Sequence, residues 1–151
     1  MIHLAAYVGP GRWYDAAIRG FTGYDCSHVE LAWRDDRGWL GFSSSPRDGG
    51  VRIKRIDFDG PHWRLTRLPF ADAQLVRARA RDMAASARGY DWKGLALTMV
   101  LAAGRHQRRR YFCSEAVALA LGVPSAHRFS PGHLEEILRW HALNIEKEAR
   151  K

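Results

Sequence analysis

The sequence predicts an α+β fold, because short strand patterns fill its first half and helical patterns dominate its second half. Apolar residues alternate over 27–33, which indicates a strand, and Asp-Asp-Arg-Gly at 35–38 predicts a hairpin turn into the next strand. After Pro69 the apolar residues take the spacing of amphipathic helices. Strands are therefore expected to form a small antiparallel sheet that later helices cover.

Each predicted element is bounded by turn or capping residues. Gly89 and Gly122 are expected to end helices, and Ser130-Pro131 supplies an N-cap and a first-turn proline. The predicted helices span 12–21, 71–88, 91–101, 113–121 and 130–139; the predicted strands span 27–33, 39–42, 51–56 and 63–68, with a polar loop at 43–50 and a frayed tail from 146.

The length of 151 residues and the 46% hydrophobic content suit one domain, residues 1–151, with a buried core. Net charge is +8, and arginine supplies most of the basic residues. Such a charge favours anionic partners, namely nucleic acid, an anionic membrane face or an acidic polymer, although coding bias explains the arginine content equally well.

Location is predicted from what the sequence lacks. Two cysteines are too few for a disulfide framework, and the N-terminus has no secretory pattern. The most apolar segment, 94–103, is about half of the ~20 residues that a membrane-spanning helix needs. The sequence thus predicts a cytoplasmic protein with reduced thiols and no transmembrane segment. It suggests no cofactor.

A nucleophile is predicted at Cys113, where a basic segment ends and an Ala/Leu/Val helix begins. The positive end of a helix dipole favours a thiolate, and Arg108, Arg109 and Arg110 act in the same direction. The alternative is a buried cysteine that serves as a small hydrophobe.

A base and its orienting group are predicted at His28 and Glu30, two residues apart on the 27–33 strand. Their side chains therefore project to the same face. His28 is placed to take the proton of Cys113, and Glu30 to hold the imidazole ring in the useful tautomer. Ordinary polar residues on a surface strand are the alternative.

Two other interpretations remain open. Period-two spacing puts Cys26 on the face of His28 and Glu30, so these residues and Cys113 offer mixed zinc ligands, although no Cys-x-x-Cys pair accompanies them. The run from Arg105 to Phe112 joins cations to two aromatics and is able to bind phosphates and bases. No helix-turn-helix, zinc-finger or RNA-recognition pattern accompanies it, so nucleic-acid binding is the less favoured interpretation.

Three segments together resemble the circularly permuted branch of the NlpC-type papain-like cysteine hydrolases. This branch includes the YiiX/YebB-like proteins and is related to the lecithin:retinol acyltransferase fold. The segments are Tyr24–Leu31 (YDCSHVEL), 89–92 (GYDW) and 111–115 (YFCSE), and 129–134 (FSPGHL) adds to them. In this branch the histidine strand precedes the cysteine helix.

The resemblance implies that Cys113 is the nucleophile, His28 the base and acid, and Glu30 the third member. It implies a bacterial or phage peptidase, amidase or acyltransferase that acts on amides or esters, such as cell-wall peptides or acyl lipids. The backbone N–H of Cys113 is a candidate oxyanion donor. Tyr24 and Ser114 are further candidates for oxyanion or substrate binding.

Without an export signal, the resemblance leaves an intracellular enzyme or a phage-encoded protein delivered by other means. The rival hypothesis is a catalytically silent binding protein of the same fold. Its basic surface would then bind nucleic acid or another anionic polymer.

Overall fold

The structure, a computed structural model, describes residues 1–87, 89–91, 93, 95–96 and 110–151. Within them the chain forms a five-stranded antiparallel sheet and four α-helices, which confirms the predicted α+β class. The strands are β1 (His3–Tyr7), β2 (His28–Asp35), β3 (Gly38–Ser45), β4 (Gly50–Arg55) and β5 (Trp63–Arg67); the helices are α1 (Trp13–Thr22), α2 (Ala73–Ser86), α3 (Cys113–Leu121) and α4 (Pro131–Glu148). The predicted helix at 91–101 lies mostly outside the described residues.

Strand β2 lies at the centre of the sheet, whose order is β4-β3-β2-β1-β5. Its first residue, His28, pairs with Tyr7 of β1, and Glu30 pairs with Ala5. Paired residues of antiparallel strands project to the same face. His28, Glu30 and Tyr7 therefore share one face of the sheet.

The opposite face carries the main core, against which α2, α3 and α4 pack. Alternate residues of β1 and β2, such as Leu4, Val29 and Leu31, are completely buried there. Residues of α3 and α4, such as Val117 and Leu134, pack against the same cluster. The hydrophobic effect of this burial holds the cysteine helix against the sheet.

The face that carries His28 and Glu30 has a smaller apolar cluster around Phe58. Ala5 and Ala32 form its floor, and Trp39 and Trp63 pack against it. Small residues on the strands leave room on this face for the aromatic rings and for the polar side chains of the site.

Strand β1 was missing from the sequence prediction. Leu4, Ala5 and Ala6 are all buried, because both faces of the strand are covered. A strand buried on both faces lacks the alternation of apolar and polar residues by which strands are recognised.

Several boundary predictions were wrong: α2 ends at Ser86 and not at Gly89, and α4 extends beyond residue 139. A polar loop was expected at 43–50. In the structure, β3 continues to Ser45, and a short 3₁₀ helix, Pro46–Asp48, follows it. Ser43 and Ser44 of β3 are buried with their hydroxyls bonded to carbonyls: Ser43 donates to Val29 O at 2.7 Å, and Ser44 donates to Tyr111 O. The tail from 146, expected to fray, continues α4 to Glu148. In the described part of the chain, no helix has the length and apolarity needed to cross a membrane.

Candidate active site

The cysteine helix begins at Cys113, as predicted, and its N-terminus is fixed from both sides. Ser44 Oγ of β3 donates to the carbonyl of Tyr111 at 2.5 Å, and Ser114 Oγ donates to the carbonyl of Phe129 at 2.6 Å. The N-cap residue, Phe112, has no capping side chain. The thiol therefore lies at the N-terminus of a helix, where the helix dipole is positive.

The imidazole of His28 connects the thiol to a carboxylate. Its Nε2 lies 3.1 Å from Glu30 Oε1, which leaves Nδ1 as the ring nitrogen for the thiol. Burial acts to lower the pKa of His28, but the charge of the Cys113 thiolate, a hydrogen bond to that sulfur and Glu30 outweigh it and raise the pKa to about 9. The three side chains predicted from the sequence are thus brought together.

The orienting carboxylate is itself held by Arg52 of β4, which the sequence prediction did not include. Arg52 Nη2 donates to Glu30 Oε1 at 2.5 Å, and Nη1 donates to Oε2 at 2.9 Å. Burial acts to raise the pKa of Glu30, but its bonds to His28 and Arg52 prevail and lower it. Glu30 is therefore an anion at neutral pH although its side chain is only 2% exposed.

A second carboxylate fixes Arg52 in turn. Arg52 Nε donates to Asp48 Oδ2 at 2.8 Å, and both oxygens of Asp48 accept from Lys54 Nζ. The chain of contacts runs from the surface to the thiol: Lys54, Asp48, Arg52, Glu30, His28 and Cys113. Bidentate pairing of a guanidinium with a carboxylate adds geometric specificity to its strength, so Arg52 restricts the orientation of Glu30.

Gly41 of β3 provides the space for Glu30. A Cβ atom at this position would collide with Glu30 Oε2, and it would lie 2.8 Å from side-chain atoms of both Ile56 and Phe58. The backbone is extended at Gly41, so the requirement for glycine here is one of space rather than of conformation.

A cleft of about 190 Å³ opens beside His28 on this face of the sheet. It is lined by aromatic and charged side chains: Tyr7, Tyr14, Asp15, His28, Glu30, Ser45, Pro46, Arg47, Asp48, Arg52, Lys54, Ile56 and Trp63. Cys113 is 1% exposed and lies outside that lining. A substrate in the cleft therefore meets His28 first, and side chains must move for an acyl group to reach the sulfur.

Tyr24 and Ser114, the predicted accessory residues, form hydrogen bonds to other parts of the molecule. The Tyr24 hydroxyl donates to Glu136 Oε2 of α4 at 2.9 Å and lines a different depression. The Ser114 hydroxyl is bonded to Phe129 O, as described above. By contrast, Tyr90 hydrogen-bonds to the backbone N–H of Cys113; burial raises its pKa, and the charge of Cys113 raises it further.

Cys26 does not share the face of His28 and Glu30, so that prediction was wrong. The strand begins at His28, and the period-two alternation does not extend back to Cys26. Its side chain is fully buried in the main core, where burial raises the pKa of the thiol, and its Sγ lies 3.4 Å from the carbonyl oxygen of His28. Among the described residues, no group of three or more His, Cys, Asp or Glu is arranged to hold a metal ion.

The basic run from Arg105 to Phe112 was considered as a nucleic-acid site. Its residues 105–109 lie outside the described residues. Arg110 is exposed, and Phe112 is fully buried beside Ile18 of α1 and Leu95. The second of the two aromatics therefore packs in the interior, which leaves Tyr111 as the more accessible of the pair.

The chain matches no known protein-family model, and a comparison with curated proteins also gives no match.

Proposed function

We propose that the protein is a cysteine hydrolase that cleaves an amide or ester bond through a thioester acyl-enzyme at Cys113. One observation carries the proposal: the His28 ring interacts with the Cys113 sulfur and also lies 3.1 Å from the Glu30 carboxylate. A nucleophile, a base and an orienting group in that order form the arrangement that activates nucleophiles in thiol and serine hydrolases.

The proposed reaction begins from the thiolate–imidazolium pair. Cys113 Sγ attacks the substrate carbonyl carbon, and His28 gives its proton to the leaving amine or alkoxide as the C–N or C–O bond breaks. The neutral His28 then takes a proton from water, whose oxygen attacks the thioester; the C–S bond breaks, the acid is released, and the Cys113 thiolate and the His28 imidazolium are restored. Glu30 keeps Nε2 bonded throughout, so the ring presents Nδ1 to the sulfur, to the leaving group and to water.

The oxyanion of the proposed reaction needs hydrogen-bond donors, and two groups near Cys113 are candidates. The backbone N–H of Cys113 lies at the start of α3, where helix amides favour negative charge. Tyr90 is a better second candidate than Tyr24, because the Tyr90 phenol oxygen accepts from this N–H and the oxyanion would have to take its place there, next to the Tyr90 hydroxyl, whereas the Tyr24 hydroxyl is bonded to Glu136.

The order of the elements supports a place for the chain in the circularly permuted NlpC-type branch of papain-like enzymes. His28 on a central antiparallel strand precedes Cys113 at the start of a helix that packs against that strand. Peptidase, amidase and acyltransferase activities all agree with this chemistry, and both cell-wall peptides and acyl lipids contain bonds of the required type.

The test is to trap the acyl-enzyme. The protein is mixed with 4-nitrophenyl acetate, quenched in acid and digested, and the site of acetylation is found by mass spectrometry. We expect an acetyl group on Cys113 and a rate that falls by about 10²- to 10⁴-fold in His28→Ala. Acetylation confined to lysines, or an unchanged rate in His28→Ala, would contradict the proposal.

Cys26→Ala is the matched control, because Cys26 is the other thiol and is buried in the core. It should retain acetylation of Cys113, whereas Cys113→Ala should lose it while keeping the far-ultraviolet circular dichroism of the wild type. If neither cysteine is acetylated and the protein binds DNA or RNA with a steep salt dependence, the binding-protein hypothesis is favoured instead.

A further inference from the structure

Helix α1 exposes two large apolar residues on its outer side. Trp13 is 79% exposed and Phe21 is 68% exposed, although both are large hydrophobic residues. Ala16 and Gly20, which lie on the same side of the helix, are exposed as well. The spacing of these residues by three, four or eight positions puts them on one continuous face.

The inward side of α1 carries Ile18, which packs beside Leu95 and Phe112, and two well-bonded polar residues. Asp15 is 4% exposed and accepts from Ser27 Oγ at 3.0 Å and from the backbone N–H of Arg12 at 2.7 Å. Arg19 donates to the carbonyl of Gly9 at 2.9 Å. The helix cannot roll to bury Trp13 and Phe21 without breaking these bonds, so the outward apolar face is a fixed property of the fold.

The margins of this face are cationic. Arg12 and Arg19 lie at opposite ends of α1, and Arg47 reaches across to the hydroxyl of Tyr14 with its side chain 45% exposed. The only carboxylate of the helix is the buried Asp15. The net charge of the whole chain, +8, has the same sign. A short helix with Trp and Phe on one side and arginines at its margins has the composition of an interfacial anchor.

We propose that α1 docks the protein on an anionic lipid surface, with Trp13 and Phe21 at the boundary between headgroups and acyl chains. The positive charge of Arg12 and Arg19 would then lie close to headgroup depth, where it favours anionic lipids. A second copy of the chain is a poorer occupant, because a symmetric α1–α1 contact would bring the arginines of both copies together. Tyr14 and Asp15 of the same helix line the cleft beside His28.

The test is co-sedimentation of the full chain with phosphatidylcholine vesicles that contain or lack phosphatidylglycerol. We expect binding to the anionic vesicles, weakened by salt, and a loss of roughly tenfold or more in affinity for Trp13→Glu/Phe21→Glu. Trp140→Glu/Leu143→Glu is the matched control, because these α4 residues are 67% and 47% exposed and lie on another element. It should bind like the wild type.

Three results would overturn the proposal: no binding of the wild type to anionic vesicles, equal binding by the α1 variant, or a wild-type dimer that the α1 variant converts to a monomer in sedimentation velocity. If the α1 variant does not fold, quenching by brominated lipids decides the question. The wild type should be quenched more strongly than Trp13→Phe, and equal quenching would contradict insertion of Trp13. The proposal does not depend on the chemistry at Cys113, which the acyl-enzyme experiment tests separately.

Discussion

In the described part of the chain, two similar networks each have an arginine that connects a buried glutamate to a more exposed aspartate. One is Glu30–Arg52–Asp48 beside the candidate active site, and the other is Glu135–Arg64–Asp25 between β5 and α4. The two glutamate side chains are 2% and 6% exposed, and each is paired with its arginine. Buried charges of this kind require partners wherever they occur, so burial and pairing by themselves do not indicate function.

The two arginines are turned in opposite directions. Arg52 directs its two terminal nitrogens at the buried Glu30 and its Nε at Asp48. Arg64 directs its terminal nitrogens at the exposed Asp25 and only its Nε at the buried Glu135. The bidentate contact therefore fixes the inner carboxylate in one network and the outer one in the other. Only the fixed inner carboxylate, Glu30, has a histidine partner.

The largest expected difference between the networks concerns stability. Arg52→Met leaves Glu30 buried without its main counter-charge and should lower the free energy of unfolding by about 3–5 kcal/mol. Arg64→Met should cost less, about 1–2 kcal/mol, because the Arg64 side chain is 30% exposed and solvent screens its pairs. Urea denaturation of both variants measures the two losses. Equal losses would show that the direction of the guanidinium does not matter.

A substitution at Gly41, next to Glu30, should change the position of the Glu30 carboxylate without changing its charge. Gly41→Ala puts a methyl group where Glu30 Oε2 lies, so the carboxylate must move. We expect a loss of about 1–3 kcal/mol in stability, as for other overpacked sites, together with slower acetylation of Cys113. Gly60→Ala is the control, since a Cβ there meets nothing within 4 Å. If both alanine variants acetylate at the wild-type rate, the position of Glu30 is not important for the reaction.

The pKa of His28 should depend on Glu30 and not on Glu135. The Glu30 carboxylate helps to raise the pKa of His28 to about 9, so Glu30→Gln should lower that pKa. A raised histidine pKa stabilises the fold below the ordinary value of 6.5, and this stabilisation is lost as the pH rises through 9. In Glu30→Gln the loss should therefore begin at lower pH.

NMR titration of the histidine ring signals, with His28 assigned from His28→Ala, measures this change. Glu135→Gln should leave the His28 titration unchanged. A shift of equal size in both glutamine variants would mean that the effect comes from net charge rather than from the contact with Glu30.

The smallest effects are expected at the two accessory residues proposed from the sequence. Tyr24→Phe removes a hydroxyl whose bond to Glu136 is near the surface and should change stability by less than about 0.5 kcal/mol. Ser114→Ala removes a bond to Phe129 O and should cost about 1 kcal/mol. Both should acetylate Cys113 like the wild type, whereas Tyr90→Phe should be slower. A slow Tyr24→Phe would restore the assignment made from the sequence.

The parts of the site that local patterns encode were predicted from the sequence. His28 and Glu30 lie two positions apart on an alternating strand, so one periodicity places both on the same face. Cys113 lies at a change from a basic segment to an apolar helix, and the structure begins α3 there. These predictions needed only the geometry of a single strand and a single helix.

The parts that depend on pairing between strands were not predicted. Arg52 reaches Glu30 from β4, two strands away, and the register of β3 against β4 sets that contact. The space at Gly41 depends on the same register. Cys26 was placed wrongly because the point where β2 begins is set by tertiary contacts and not by the alternation itself.

The central claim is that Cys113 and His28 form a thiolate–imidazolium pair. The most direct test compares the rate at which iodoacetamide alkylates Cys113 at mildly acidic pH in the wild type and in His28→Ala. A free thiol with a pKa near 8.5 is almost entirely protonated there, whereas a thiol paired with an imidazolium remains ionised. Site-resolved mass spectrometry should show labelling of Cys113 in the wild type, little labelling of Cys26, and a collapse of Cys113 labelling in His28→Ala. Slow labelling of Cys113 at the same rate in both proteins would contradict the thiolate–imidazolium pair.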